Sequence, residues 1–255
     1  MADSEVMLSA FYGISSPWAY LGAERMVAIA RKRGAKIVYR PIRIIQANGG
    51  IPLRTRPDSR QKYHEVELDR WRKYLDIPLN LNPRFCKYTE PALLALSSNS
   101  SQSNSSISVH AFAMKQANGL SPVTNTNRRV DPCRTIETAA QAIIALQKAG
   151  YDVSGFSLSV QRALWAEDRD IADLATLKEI ATATLGPKAA ELVLEPQRPD
   201  IVADWEENLA EAERRGIFGT PTYVVDDELF WGQDRLDFVD RALISAGARR
   251  QGKEI

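Results

Sequence analysis

The chain has 255 residues, 44% hydrophobic and 25% charged, enough for a core that needs no disulfide or metal staple. Lys+Arg 33 against Asp+Glu 32 gives a formal charge of +1, which offers no electrostatic footprint for nucleic acid or an anionic membrane. The expected partner is a small molecule or another protein. The two cysteines, Cys86 and Cys133, form no C-x-x-C pair, and no apolar run approaches a membrane span, so the cytoplasm is the expected location. His64 and His110 lack a second ligand at metal spacing, so no metal site is expected.

Val6 to Tyr12 reads as a buried strand, broken at Gly13 to Ser15. Ser16 then caps a helix with Pro17 in its first position, apolar at Trp18, Leu21, Met26 and Ile29, and stopped by Gly34. Lys36 to Ile45 supplies a second strand, and the strand–helix–strand unit predicts a parallel pair. After a connector rich in Gly, Pro and Arg, Arg60 to Leu75 forms a strongly charged helix. Residues 91–137 match nothing around them: 97–106 is a polar Ser/Asn/Gln run, and no periodicity follows it. They read as a disordered surface insert or as an artefact of an unspliced intron or faulty gene model. Helices are expected again over 139–150, 157–166, 173–185 and 200–215. Strands over 222–225 and 229–231, separated by an Asp226-Asp227 turn, then lead to a last helix over 235–244. This order is that of an α/β thioredoxin-like fold split by an α-helical insertion. The thioredoxin-like part takes 5–56 and 216–247, and the helical part 57–215.

Three groups of residues carry chemistry. In thiol–disulfide enzymes of this fold, two cysteines separated by two residues open the first helix. Ser16 and Ala19 hold those positions here, so dithiol exchange there is impossible. A hydroxyl at the positive end of a helix stabilises an anion such as a bound thiolate. The bland alternative is an ordinary N-cap worth about 1 kcal/mol. Gly219-Thr220-Pro221 precedes a strand, where a cis proline would turn the backbone of Thr220 toward Ser16. Only about 5–6% of X–Pro bonds are cis, and an edge-strand proline without a role is the alternative. Finally, Gln233 and Asp234 open the last helix, where they suit an amino-acid end group or, more simply, a cap.

Ser16-Pro17-Trp18-Ala19-Tyr20-Leu21-Gly22, Phe218-Gly219-Thr220-Pro221 and Phe230-Trp231-Gly232-Gln233-Asp234-Arg235-Leu236 together resemble the 2-hydroxychromene-2-carboxylate isomerase family. That family is related to kappa-class glutathione transferases and to DsbA-like proteins. The resemblance implies glutathione as cofactor and an aromatic or conjugated acid as substrate, isomerised by reversible thiolate addition. It implies that Ser16 faces the glutathione sulfur, that Thr220 and Pro221 bind the cysteinyl backbone, and that Gln233 and Asp234 hold the γ-glutamyl end. Arg60, three residues before Tyr63, replaces the family's lysine on glutathione, and Asn48 is the nearest match to a family asparagine. Trp18 and Tyr63 would line the substrate pocket, against an equal expectation of packing roles. A homodimer is also implied. Kappa-type transfer, a DsbA-like oxidoreductase by fold only, and a non-catalytic binding module are the alternatives. The family crosses from its Pro-Arg-Phe segment, here Pro83-Arg84-Phe85, to the Ala139 helix in a short step; residues 91–137 are the departure.

Overall fold

The computed structural model describes residues 5–84, 132–193 and 198–250, apart from the side chains of Arg54 and residues 132–136. Strands β1 (Met7–Tyr12) and β2 (Lys36–Pro41) pair in parallel, joined by helix α1 (Pro17–Arg33). β3 (Thr222–Val225) runs antiparallel beside β1, and β4 (Glu228–Trp231) closes a sheet of order β2-β1-β3-β4. Between the two halves lie α2 (Asp58–Tyr74), α3 (Pro132–Lys148), α4 (Ser154–Trp165), α5 (Leu174–Leu185), α6 (Pro187–Val193) and α7 (Pro199–Arg214). A 3-10 turn, Gln233–Arg235, leads into α8 (Leu236–Arg250).

The alternation of β1 sorts its side chains onto two cores. Leu8, Ala10 and Tyr12 share one core with Tyr223 and Val225 of β3, under α1, α4 and α8. Phe11 and Val224 point to the other face, where α7 contributes Ile201, Trp205 and Leu209. The register explains the split, because Ala10 lies opposite Tyr223 and Ser9 opposite Val224. Helix α3 serves both cores, with Ile143 and Leu146 on one side and Ala140 and Ile144 on the other.

Several boundaries differ from expectation. β2 stops at Pro41 rather than Ile45, and a 3-10 turn, Gln46–Asn48, replaces its end. Proline has no N–H to extend a ladder. Helix α3 begins at Pro132 rather than Ala139, with proline in the first turn, where the missing N–H costs nothing. Of the 91–137 segment, only 132–137 falls within the described residues, as the start of α3; 91–131 lies outside them. The short α6 had no periodicity long enough to announce it. Asn48 is a structural residue: its Nδ2 donates to the carbonyls of Ala212, Glu213 and Ile217, closing the end of α7.

Candidate functional site

Ser16 is the N-cap of α1. Its extended backbone (φ −77, ψ 119) lets Oγ accept the Ala19 N–H at 3.3 Å, while its own N–H bonds Gly13 O at 2.9 Å. An accepting hydroxyl keeps its hydrogen to donate. Pro17 occupies the first helical position, and no acidic residue stands in the first turn to cancel the positive end of the helix. The Thr220–Pro221 bond is cis. A Cβ built on Gly13 would lie 3.4 Å from Thr220 Oγ1 and 3.6 Å from Ser16 Cβ, so Thr220 and Ser16 both adjoin this glycine. Thr220 is half-buried, whereas Pro221 is buried beneath it and accepts the Gly232 N–H at 2.9 Å.

That last bond ties the third signature to the second. Gly232 turns the chain (φ 107), and the buried Gln233 packs on α1 at Gly22. A Cβ at Gly22 would meet Gln233 Cβ and Tyr223 Oη at 2.8 Å each, so only glycine permits this approach. The Arg25 Nη2 donates to both the backbone and side-chain oxygens of Gln233. Asp234 is exposed and pairs with Arg235 at 2.6 Å rather than capping the turn. Arg25 also lies 5.9 Å above the Trp71 ring, and burial pulls its guanidinium below its ordinary pKa.

The residues assigned to α2 fare differently. Arg60 is exposed in its first turn, and Tyr63 is 57% exposed with Arg70 5.9 Å over its ring. Trp18 is half-buried and bonds α2: its indole N–H donates to His64 Nδ1 at 3.3 Å, with the rings 5.4 Å apart and edge to face. His64 is therefore a packing partner of the first turn of α1. Burial first, and the Arg56 charge second, push its pKa down to about 4.

Behind the first turns of α1, a cavity of about 20 Å³ touches Ala19, Ala23, Tyr12, Ser157, Gln161 and Pro221. That volume accommodates a water and not an aromatic acid. Tyr12 Oη and Ser157 Oγ bond at 2.8 Å beside it, and burial keeps the Tyr12 phenol neutral. On the outer side of Thr220, Phe218 and Trp231 are exposed and stack edge to face at 4.7 Å over Gly219. This aromatic pair was not foreseen as part of the site. Its signal was in the sequence all the same, since Phe218 and Trp231 lie within two of the motifs, next to Gly219 and Gly232.

The family model described as a DSBA-like thioredoxin domain matches residues 7–120 and 85–244. The chain belongs to the DsbA-like thioredoxin family. Among curated relatives, the 2-hydroxychromene-2-carboxylate isomerase of Sphingobium xenophagum is 25% identical over 239 residues, 92% of this chain and 96% of its own. The enzyme of that name from Pseudomonas sp. (strain C18) is 22% identical over 243 residues, covering 93% and 90%. A solved 2-hydroxychromene-2-carboxylate isomerase superposes with a TM-score of 0.60 at 21% identity, over 97% of this chain and 98% of that one. The cytosolic disulfide reductase DsbM from Pseudomonas aeruginosa, solved with GSH, gives 0.52 at 17% identity over 97% and 98%.

Within this DsbA-like frame the first turn of α1 carries no thiol, since Ser16 and Ala19 stand at both positions. Among the described residues no group of three His, Cys, Asp or Glu could hold a metal ion, and no helix is long and apolar enough to cross a membrane.

Proposed function

We propose that the chain is a glutathione-dependent isomerase acting on a conjugated aromatic acid. The observation that carries this reading is the placement of Ser16 and Thr220 together beside Gly13, at a helix start with no thiol and no acid. The isomerase name of the curated relatives supports the reaction class.

The residues fit a thiol-bearing peptide. Ser16 offers an O–H at the positive helix end, Thr220 offers backbone groups for strand-like pairing, and Gln233 and Asp234 stand at the turn below. When bound, glutathione would supply a thiolate that adds reversibly to the conjugated carbon, permits rotation about the loosened bond, and leaves. Ser16 donates a hydrogen bond toward the sulfur and stabilises its negative charge before addition and after departure. It is not the nucleophile: among the described residues its hydrogen bonds go to backbone groups and to no base. Phe218 and Trp231, beside Thr220, offer the apolar face on which an aromatic acid would lie. Arg60, exposed on α2, adds positive charge at longer range.

The test is conversion of 2-hydroxychromene-2-carboxylate followed by absorbance, with and without glutathione. The expected result is isomerisation that requires glutathione without consuming it, and that Ser16→Ala slows by roughly a hundredfold or more. Stoichiometric loss of glutathione would assign kappa-type transfer instead, and conversion indifferent to both glutathione and Ser16 would overturn the reading.

A further inference from the structure

Arg25 is held in an unusual way. Its Nη2 is committed to Gln233, its Nε is sealed from solvent with no hydrogen-bond partner, and its Nη1 is neither sealed nor bonded among the described residues. No carboxylate of the described residues stands within ion-pair distance of it, although Arg33, eight positions further along α1, has its own Asp240 at 2.6 Å. A half-buried guanidinium normally has an anionic partner, because desolvating a charge is costly without one. Burial is the main influence on this group, and the carboxylates that bear on it, Asp237 and Asp234, act only through space. Asp234 is turned to Arg235. Among the described residues, then, nothing supplies a counter-ion for this guanidinium.

Its position says which anion. Gln233 accepts from Arg25 through Oε1, which leaves its Nε2 to donate. Two N–H donors from a planar cation and a neighbouring amide match the two oxygens of a carboxylate. The Trp71 ring, 5.9 Å away, flanks the guanidinium. We propose that Arg25, together with the Gln233 amide, is the receptor for the α-carboxylate at the γ-glutamyl end of glutathione, an assignment that rests on the glutathione reading above. Gln233 is then oriented by Arg25 rather than acting alone, and Asp234 remains for the ammonium of the same end group.

The experiment is calorimetric titration of the full chain with glutathione and with 4-aminobutyryl-cysteinyl-glycine, which lacks only that carboxylate. Wild type is expected to favour glutathione by roughly ten- to a hundredfold. Arg25→Ala is expected to erase this preference by weakening glutathione alone, and Arg25→Lys, which keeps the cation without the fork, to restore part of it. A merely structural role would weaken both ligands equally. Persistence of the preference in Arg25→Ala, or its absence in wild type, overturns the assignment while leaving glutathione binding intact. No binding of either ligand to folded wild type overturns the glutathione reading itself. Should Arg25→Ala fail to fold, wild type and Arg25→Lys decide between the same outcomes.

Discussion

The starts of α1 and α2 face the same region and are built on opposite plans. In α1, Pro17, Ala19, Tyr20 and Leu21 are all buried against the sheet, α4 and α8, so the Ser16 cap has no freedom to shift. In α2, Leu68 is the buried residue, and the outer face carries pairs such as Asp69–Arg72 and Asp69–Lys73, which add little stability. What joins α2 to α1 is a set of side-chain contacts: Trp18 to His64 and Arg25 over Trp71. The difference teaches that the helix start proposed to face the sulfur is fixed by packing, while whatever α2 contributes arrives through a few adjustable contacts.

The sharpest way to break that comparison is to disturb α1 where it admits no slack. Gly22→Val drives a side chain into Gln233 and Tyr223 and is expected to cost about 3 kcal/mol by thermal or urea unfolding, with loss of glutathione affinity. A neutral result would show that the 3-10 turn moves freely. Next, Leu68→Ala is expected to cost about 2 kcal/mol, while Val66→Ala, on the exposed side, stays within about 0.5. Equal effects would mean that α2 has no anchored face.

The contact between the two helices carries a pH signature. His64 has a folded pKa near 4 against an ordinary 6.5, so between those values the unfolded chain binds more protons than the native one. Stability is therefore complete above pH 6.5 and is lost as pH falls toward 4, by about 1–2 kcal/mol at pH 5. Protonated Nδ1 can no longer accept the Trp18 N–H, so in the folded protein Trp18 fluorescence should change only as pH approaches 4, where His64 itself takes up its proton. His64→Gln keeps an acceptor without the titration and should flatten this part of the profile; an unchanged slope would assign it elsewhere. The smallest effect is expected at Arg60. Being exposed, Arg60→Ala should weaken glutathione only about two- to fivefold and leave stability unchanged. A larger loss would make α2 an integral wall of the site.

The fold was legible because its ends announce themselves locally. The cap Ser16-Pro17, the stop at Gly34 and the Asp226-Asp227 turn each fix a boundary through backbone chemistry, and the structure has them where expected. The cis bond before Pro221 was readable only from its place between helices and hairpin, since local chemistry favours trans. Arg25 and His64 escaped because each acquires its meaning from a partner far along the chain, Gln233 and Trp18. Gly22 was the available signal for the first: a glycine inside a helix costs stability unless something packs close, and Arg25 lies three residues on, on the same face. Arg60 and Tyr63 were placed by motif spacing on a helix whose rotation the sequence left open, because its charged residues surround it on nearly every side.

The central claim is that Ser16 holds a bound thiol as thiolate. Its most direct measurement is thiolate absorbance near 240 nm of glutathione saturating the protein, followed against pH in wild type and in Ser16→Ala. The account predicts a bound thiol pKa well below that of free glutathione in wild type, returning upward in Ser16→Ala while the protein stays folded and still binds. Identical titration curves in the two proteins would contradict it.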